Sequence, residues 1–493
     1  VILHHLPVLE IVIPLLTAPV VVIFRRTRIA WGLAMLALWA SFAIAGRLLF
    51  EVLANGPVSY DMGNWASPYG IVYRVDALSA FMAVFVSTIG AVVLTFAPRS
   101  VTDEIPEDRR YLFYALYLLS VTGALGISIT GDLFNLFVFL EISALSSYSL
   151  VALGRDRRAL TASFRYLVMG TAGATFILIG IGLLYMMTGS LNMLDVARLL
   201  PEATAPRTLF VAFAFLTVGV ALKMALFPLH LWLPNAYTYA PSVVSAFLAA
   251  TATKVAIYVF LRLTFTVFGP AFAFGTVHVQ ALLLPLSLLA IYTASTVAIF
   301  QTDMKRMLAY SSLAQIGYMV LGISFATVTG LTGGIVHLMN HALIKGGLFL
   351  ATGCLVLRLG SSEMDALRGA GRRMPWTMMA WVVGGLGLIG VPATAGFVSK
   401  WYLVLGAVER HGWPVAVLVL LSSLLALAYV WRVVEIAYFQ PVPEGAPPVR
   451  EAPLSMLIPT WILIGTSLVL GVWTQLSAGV AHRAAVMLLG GWR

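Results

Sequence analysis

Charge is what this chain has least of. Only 10% of its 493 residues are Asp, Glu, Lys or Arg, against roughly a quarter in an ordinary soluble domain. No soluble domain of useful size can be covered with so few. Acids are the scarcer sign, 20 against 30 basic residues, for a formal charge of +10. Cysteine is all but missing. The single Cys354, set in an apolar run, excludes a disulfide framework within the chain and any cysteine-based metal or iron–sulfur site, and it reads as a small buried hydrophobe. The basic excess is assigned to the loops of a membrane protein, and nucleic acid is not expected as a partner. No cleavable signal is expected ahead of the first apolar run, which can itself serve as a membrane span.

What the chain does have is apolar length. Hydrophobic residues make up 60% of it, in runs of about 20 that recur from end to end. Hydropathy and breakers place about fourteen spans: 8–24, 30–55, 71–97, 111–130, 132–153, 161–188, 207–226, 242–265, 279–301, 304–325, 328–358, 375–408, 413–439 and 454–476. The expected class is an all-α polytopic membrane protein with breaks in spans 7 and 12. About seventeen Lys and Arg follow odd-numbered spans, against six on the other side (Arg74, Arg198, Arg207, Arg410, Arg483 and Arg493). The positive-inside rule then puts both termini outside the cytoplasm. The loop at 99–110 contributes little to that reading, because Asp103, Glu104, Glu107 and Asp108 mix with its arginines.

The two breaks define the organisation. In GVALKMALFPLHLWLPNAYTYAPSVVSAFLAATATK, residues 219–254, an apolar helix carries Lys223 and breaks at Phe227-Pro228, and a second helix carries Lys254. Pro228 removes a backbone donor and so leaves irregular backbone at membrane depth. A second apolar helix, GGLGLIGVPATAGFVSK at 384–400, breaks around Gly and Pro and ends on Lys400. The breaks are five spans apart, and an odd number of crossings inverts one copy relative to the other. Paired interrupted helices in inverted halves point to a transport site. The expected division is 1–110 for spans 1–3, 111–265 and 279–440 for the two halves, and 454–493 for the last span and a tail.

Ionisable groups inside such spans are costly and mark ion paths. Glu141 lies mid-span in NLFVFLEISALSSYSL with no basic neighbour in sequence. Lys223, two spans later, is its expected partner, the alternative being a carboxyl satisfied by serine or backbone. His337, His341 and Lys345 recur at i, i+4 and i+8 and share one helix face. Two histidines so spaced can chelate a metal, but no carboxylate or third histidine lies nearby, and a proton relay of imidazoles titrating near neutrality fits better. Lys400 is either part of the same set or a lysine snorkelling to an interface beside Trp401 and Tyr402. His230 is either a relay toward Lys223 or an interfacial histidine. Lys305 and Arg306 open a span and are read as topology determinants. Glu10, inside the first span, has no assigned role.

The run FPLHLWLPNAYTYAPSVVSAFLAATATK resembles the signature of the antiporter-like subunits of complex I, membrane-bound hydrogenases and Mrp cation/proton antiporters. The runs MKRMLAYSSLAQIGYM, HLMNHALIKGGLFL and GVPATAGFVSKW follow in the family's order, as does the glutamate in FLEISALSSYSL. The resemblance covers essentially the whole chain. It implies fourteen helices with inverted five-helix halves at helices 4–8 and 9–13. It also implies a glutamate–lysine pair at Glu141 and Lys223, a central axis through Lys254, His337, His341 and Lys345, and a terminal lysine at Lys400. Asn235 and Tyr237 stand where complex I subunits usually have Asp and His, so within the family the chain is most similar to the D-type branch of the Mrp antiporters.

The function this implies is movement of protons and Na+ or K+ through a buried Glu–Lys–His–Lys axis, in a bacterial or archaeal cell membrane. Partners would be the remaining subunits of a multi-subunit antiporter (A-, B-, C-, E-, F- and G-like) and the lipid bilayer. No cofactor, metal or redox site is expected, so any quinone-oxidoreductase-like translocase activity would belong to a complex rather than to this chain. The alternatives are a redox-driven pump of the complex I or hydrogenase kind, and an ion-flux partner in inorganic-carbon uptake. A purely structural scaffold is disfavoured by the spread of buried charge.

Overall fold

The computed structural model describes residues 2–202, 205–445 and 448–490; Arg493, counted above among the outer-side arginines, lies outside the described residues. α1 (Leu6–Phe24) and α2 (Thr27–Asn55) form a hairpin, and a two-stranded antiparallel ribbon follows, β1 (Val58–Asp61) on β2 (Val72–Val75). α3 (Ala77–Glu104), α4 (Arg110–Ile129), α5 (Leu133–Ala152) and α6 (Arg158–Thr188) come next. A short α7 (Met193–Leu199) leads to α8 (Pro206–Lys223), which breaks before α9 (Leu233–Tyr239). α10 (Ser242–Leu261) continues as a wider helical turn, with i→i+5 bonding, to Val267.

The remaining helices follow in order. α11 (Gln280–Ile299), α12 (Met304–Ser324) and α13 (Val328–Leu359) precede a short α14 (Ala370–Arg373). α15 (Pro375–Ile389) breaks before α16 (Ala395–His411), and α17 (Trp413–Val434), α18 (Leu454–Val472) and α19 (Gln475–Gly490) complete the chain. Among the described residues, 13 helices are long and apolar enough to cross a membrane. The broken pair α15–α16 makes a fourteenth. This is the all-α polytopic membrane class expected from hydropathy.

Burial sorts the helices into layers. Almost every residue of α3, α10, α12 and the inner two-thirds of α13 is buried, so these four form the centre. α2, α6, α11 and α17 alternate buried and exposed apolar residues, as helices with one face toward lipid do. Side chains inside the centre can therefore meet lipid nowhere and must find partners within the protein.

Two elements differ from the sequence expectation. The third span, expected at 71–97, starts at Ala77 because Val72–Val75 pairs as strand β2, its register fixed by Val58↔Val75 and Asp61↔Val72. Asp76 then caps the helix by accepting from the Ser79 amide at 2.9 Å. The expected tail after 476 is helix α19, which buries a small-residue stripe (Ser477, Ala478, Ala481, Ala485). Arg483 donates from it to the Leu53 carbonyl at 3.4 Å.

Candidate functional site: a buried axis of ionisable groups

The axis begins where α8 stops. Ala225 takes a left-handed conformation (φ 56°), Pro228 has no amide to offer, and the carbonyls of the last turn are freed. Trp232 Nε1 returns to one of them, Leu222 O, at 3.0 Å, and its ring stacks on Tyr166 at 4.1 Å. Lys223 sits in this last turn, where the helix dipole favours a cation. Its Nζ donates to Glu141 Oε1 of α5 at 2.8 Å, with side chains 8% and 23% exposed. The glutamate expected to find Lys223 across two spans does so.

Between that pair and α10 lies a cavity of about 40 Å³ lined by Ser120, Ser143, Ser147, Tyr166, Lys223 and Thr251. Its walls carry hydroxyls, and its volume exceeds what one water needs. On the far side, fully buried Lys254 donates to Thr253 Oγ1 at 3.3 Å and to the Ala249 carbonyl. Among the described residues, no carboxylate is hydrogen-bonded to it.

His341 and His337 follow on α13, their rings parallel with centroids 6.1 Å apart. His337 Nδ1 lies 2.8 Å from Ser399 Oγ, and Nε2 lies 2.9 Å from Gln315 Oε1. His341 is buried with neither ring nitrogen hydrogen-bonded to a described residue. Lys345 Nζ donates to the Leu308 carbonyl at 2.8 Å and to Ser311 Oγ. Among the described residues, no group of three or more His, Cys, Asp or Glu is placed to hold a metal.

Lys400 closes the axis at the second break. α15 ends at Gly390 in the left-handed region (φ 87°), which frees its last carbonyls. Lys400 Nζ donates to two of them, Leu388 O at 3.1 Å and Ile389 O at 2.9 Å, and to Ser423 Oγ at 2.9 Å. It also stands 5.0 Å above the Tyr318 ring. This lysine turns into the protein and does not snorkel to an interface, although Trp401 beside it is exposed.

Not every expected residue joins the set. His230 is half-buried with its ring stacked on Phe227 at 5.3 Å, and no hydrogen bond links it to Lys223 among the described residues. Glu10 is fully buried in α1, and neither carboxylate oxygen has a hydrogen bond among the described residues. Lys305, read from sequence as a topology determinant, is instead buried. It donates to the Ala240 carbonyl at 3.1 Å and lies 3.8 Å from Glu104. Sequence reasoning also missed the ion pair of Arg262 with Asp76 at 2.5 Å. The signal was present: Lys254, Tyr258 and Arg262 recur at i, i+4 and i+8, the same spacing as His337, His341 and Lys345.

From Glu141 to Lys400 these side chains are carboxylate, ammonium and imidazole groups, each of a kind that can bind or release a proton. The chain as a whole is similar to known proteins. The chain is 42% identical over 487 residues to the N-type subunit of the NADH-quinone oxidoreductase of Desulforudis audaxviator, covering 96% of each. It is 30% identical over 478 residues to the D-type subunit of the Na(+)/H(+) antiporter of Alkalihalophilus pseudofirmus, covering 95% of this chain and 94% of the other. Its fold superposes on a chain of the Mrp complex from Dietzia sp. with a TM-score of 0.91 at 26% identity, covering 99% and 98%. Residues 130–426 match the family described as "NADH:quinone oxidoreductase/Mrp antiporter, TM", and the chain belongs to that family.

Proposed function

We propose that this chain is the proton- and cation-translocating subunit of a multi-subunit Mrp-type Na+(K+)/H+ antiporter, with both termini outside the cytoplasm. The observation that carries the reading is the Lys223–Glu141 ion pair at a helix break, followed by hydroxyl-lined space, Lys254, the His341–His337 face with Lys345, and Lys400. Opening an ion pair in low dielectric leaves two uncompensated charges, and a proton moving on or off either group relieves the cost. Each such event changes the field at the next group, so proton movement in one half is felt in the other.

The division into halves 111–265 and 279–440 is supported by two matching backbone bridges. Asp132 pairs with Asn192 and Asp303 with Glu363, both antiparallel, and each member of the second bridge lies 171 positions after its counterpart in the first. Both aspartates cap their helices, accepting from the amide three residues on at 2.7 and 2.9 Å.

The test is cation-dependent proton movement in vesicles containing the assembled complex. Glu141→Gln is expected to abolish it, and an unchanged rate at native assembly would sink the mechanism. A second reading is favoured by one fact: the 42% identical relative is named as a quinone oxidoreductase subunit. On that reading the same axis is driven by a redox partner. Mass spectrometry of the gently solubilised complex separates the two, because iron–sulfur subunits accompany only the second.

A further inference from the structure

α3 lies outside both proposed halves, yet it holds the two ends of α10, the helix that carries Lys254. At one end Glu104 Oε2 accepts from the Ser242 amide at 2.8 Å and from Ser242 Oγ at 3.1 Å, and it stands 3.8 Å from Lys305 Nζ. Its Oε1 accepts from Ser100 Oγ at 2.6 Å. At the other end Asp76 Oδ1 accepts from Arg262 Nη2 at 2.5 Å. That guanidinium also donates to Ser79 Oγ and to the Tyr258 hydroxyl, each at 2.9 Å. The side chains of these pairs are 19% and 6% exposed at the Glu104 end, and 1% and 5% at the Asp76 end. Charges so buried persist only where each compensates the other.

Each clamp lines a cavity. A space of about 500 Å³ reaches Glu104 and Lys305 beside Asp303 and Glu363, the two members of the second bridge. A space of about 250 Å³ reaches Asp76 and Arg262 beside Asn192 of the first bridge and its neighbour in space Gly131. Thr266, buried and with no hydrogen-bond partner for its Oγ1 among the described residues, lines the smaller one. Five spans separate the starts of α5 and α12, so the two bridges, and with them the two cavities, lie on opposite faces. Lys254 stands between them. Its ammonium is turned to Ala249, about one turn nearer the Glu104 end, and Tyr258 and Arg262 continue its helix face toward the Asp76 end.

We propose that α3 is the gate-bearing helix of the molecule. Asp76 and Glu104 each seal the floor of one cavity, and release of one clamp at a time exposes Lys254 to protons or a hydrated monovalent cation from one face only. This rests on the ion-translocation reading above. Simple anchoring of α10 would have no sidedness, and sidedness is what the experiment reads.

The experiment uses the native complex in proteoliposomes with Cys354→Ser and a reporter Thr253→Cys beside Lys254, labelled from one face at a time by a permanently cationic methanethiosulfonate. Glu104→Gln is expected to raise the labelling rate at least tenfold from the Glu104 face alone, and Asp76→Asn from the opposite face alone. The double variant is expected to pass protons without any counter-cation, read with an internal pH dye. A rise from both faces in a single variant, no rise in either, or a sealed double variant would overturn the proposal. Where a carboxylate variant fails to assemble, Lys305→Gln and Tyr258→Phe weaken the same two clamps and carry the same expectations. Labelling does not depend on which ion is transported. An absent or unsided response therefore counts against the gates even where Glu141→Gln abolishes antiport.

Discussion

The backbone of Gly396 lies so close to that of Gly387 that a Cβ at position 396 would fall 1.9 Å from the Gly387 carbonyl oxygen. The arms of the second broken span, α15 and α16, touch there, four residues before Lys400. Gly396→Ala must push them apart, at a cost of about 1–3 kcal/mol or more for an overpacked site. The expected result is a lower Tm of the solubilised complex together with loss of most ion-translocating activity. A variant with native Tm and native activity would show that the contact is slack.

Glu141 and Lys223 should behave as a coupled pair. Removing one partner leaves a charge uncompensated in a buried site, which costs about 3–5 kcal/mol. Glu141→Gln and Lys223→Met are therefore each expected to destabilise the complex, and the double variant to recover much of the loss, while all three lose activity. Thermal unfolding of the four proteins reads the coupling directly, and strictly additive losses would contradict it.

Lys400 satisfies carbonyls that the break in α15 sets free. Ser423→Ala removes one of its three hydrogen bonds and is expected to cost about 1 kcal/mol with activity reduced only a few-fold. Lys400→Ala leaves the Leu388 and Ile389 carbonyls without that donor and is expected to abolish activity. Parallel assays of the two variants in vesicles check the order.

At the first break Trp232 has the corresponding task through Leu222 O. Trp232→Phe keeps a ring against Tyr166 but removes the donor, so a loss of about 1 kcal/mol is expected, with a partial fall in activity. Complete inactivation would mean that the indole does more than hold the break.

The pattern of legibility follows from the physics of each signal. Long apolar runs, the Gly/Pro interruptions and lone charges inside them survive in any reading of the chain, because lipid permits few alternatives. That is why the spans, the two breaks and the residues from Glu141 to Lys400 could be read in order. The hairpin at Val58–Val75 was missed because Val72–Val75 is apolar enough to extend a span, and only pairing across the ribbon makes it a strand. α19 was missed because its buried stripe is alanine and serine, which carry little hydropathy. Glu104 was hidden in a loop of mixed charge, and Lys305 stood where topology alone would place a lysine. Their burial is a property of the packed molecule, since Glu104 meets Ser242 from 138 residues away.

The first break also has a consequence for the face on which it lies. Pro228 and Leu231 are exposed, and Glu141, paired with Lys223 five residues before Pro228, keeps 23% of its side chain accessible. At that depth a lone copy presents acyl chains with irregular backbone and the edge of an ion pair, both poorly solvated by hydrocarbon. A neighbouring subunit packed on this face would take both out of contact with acyl chains.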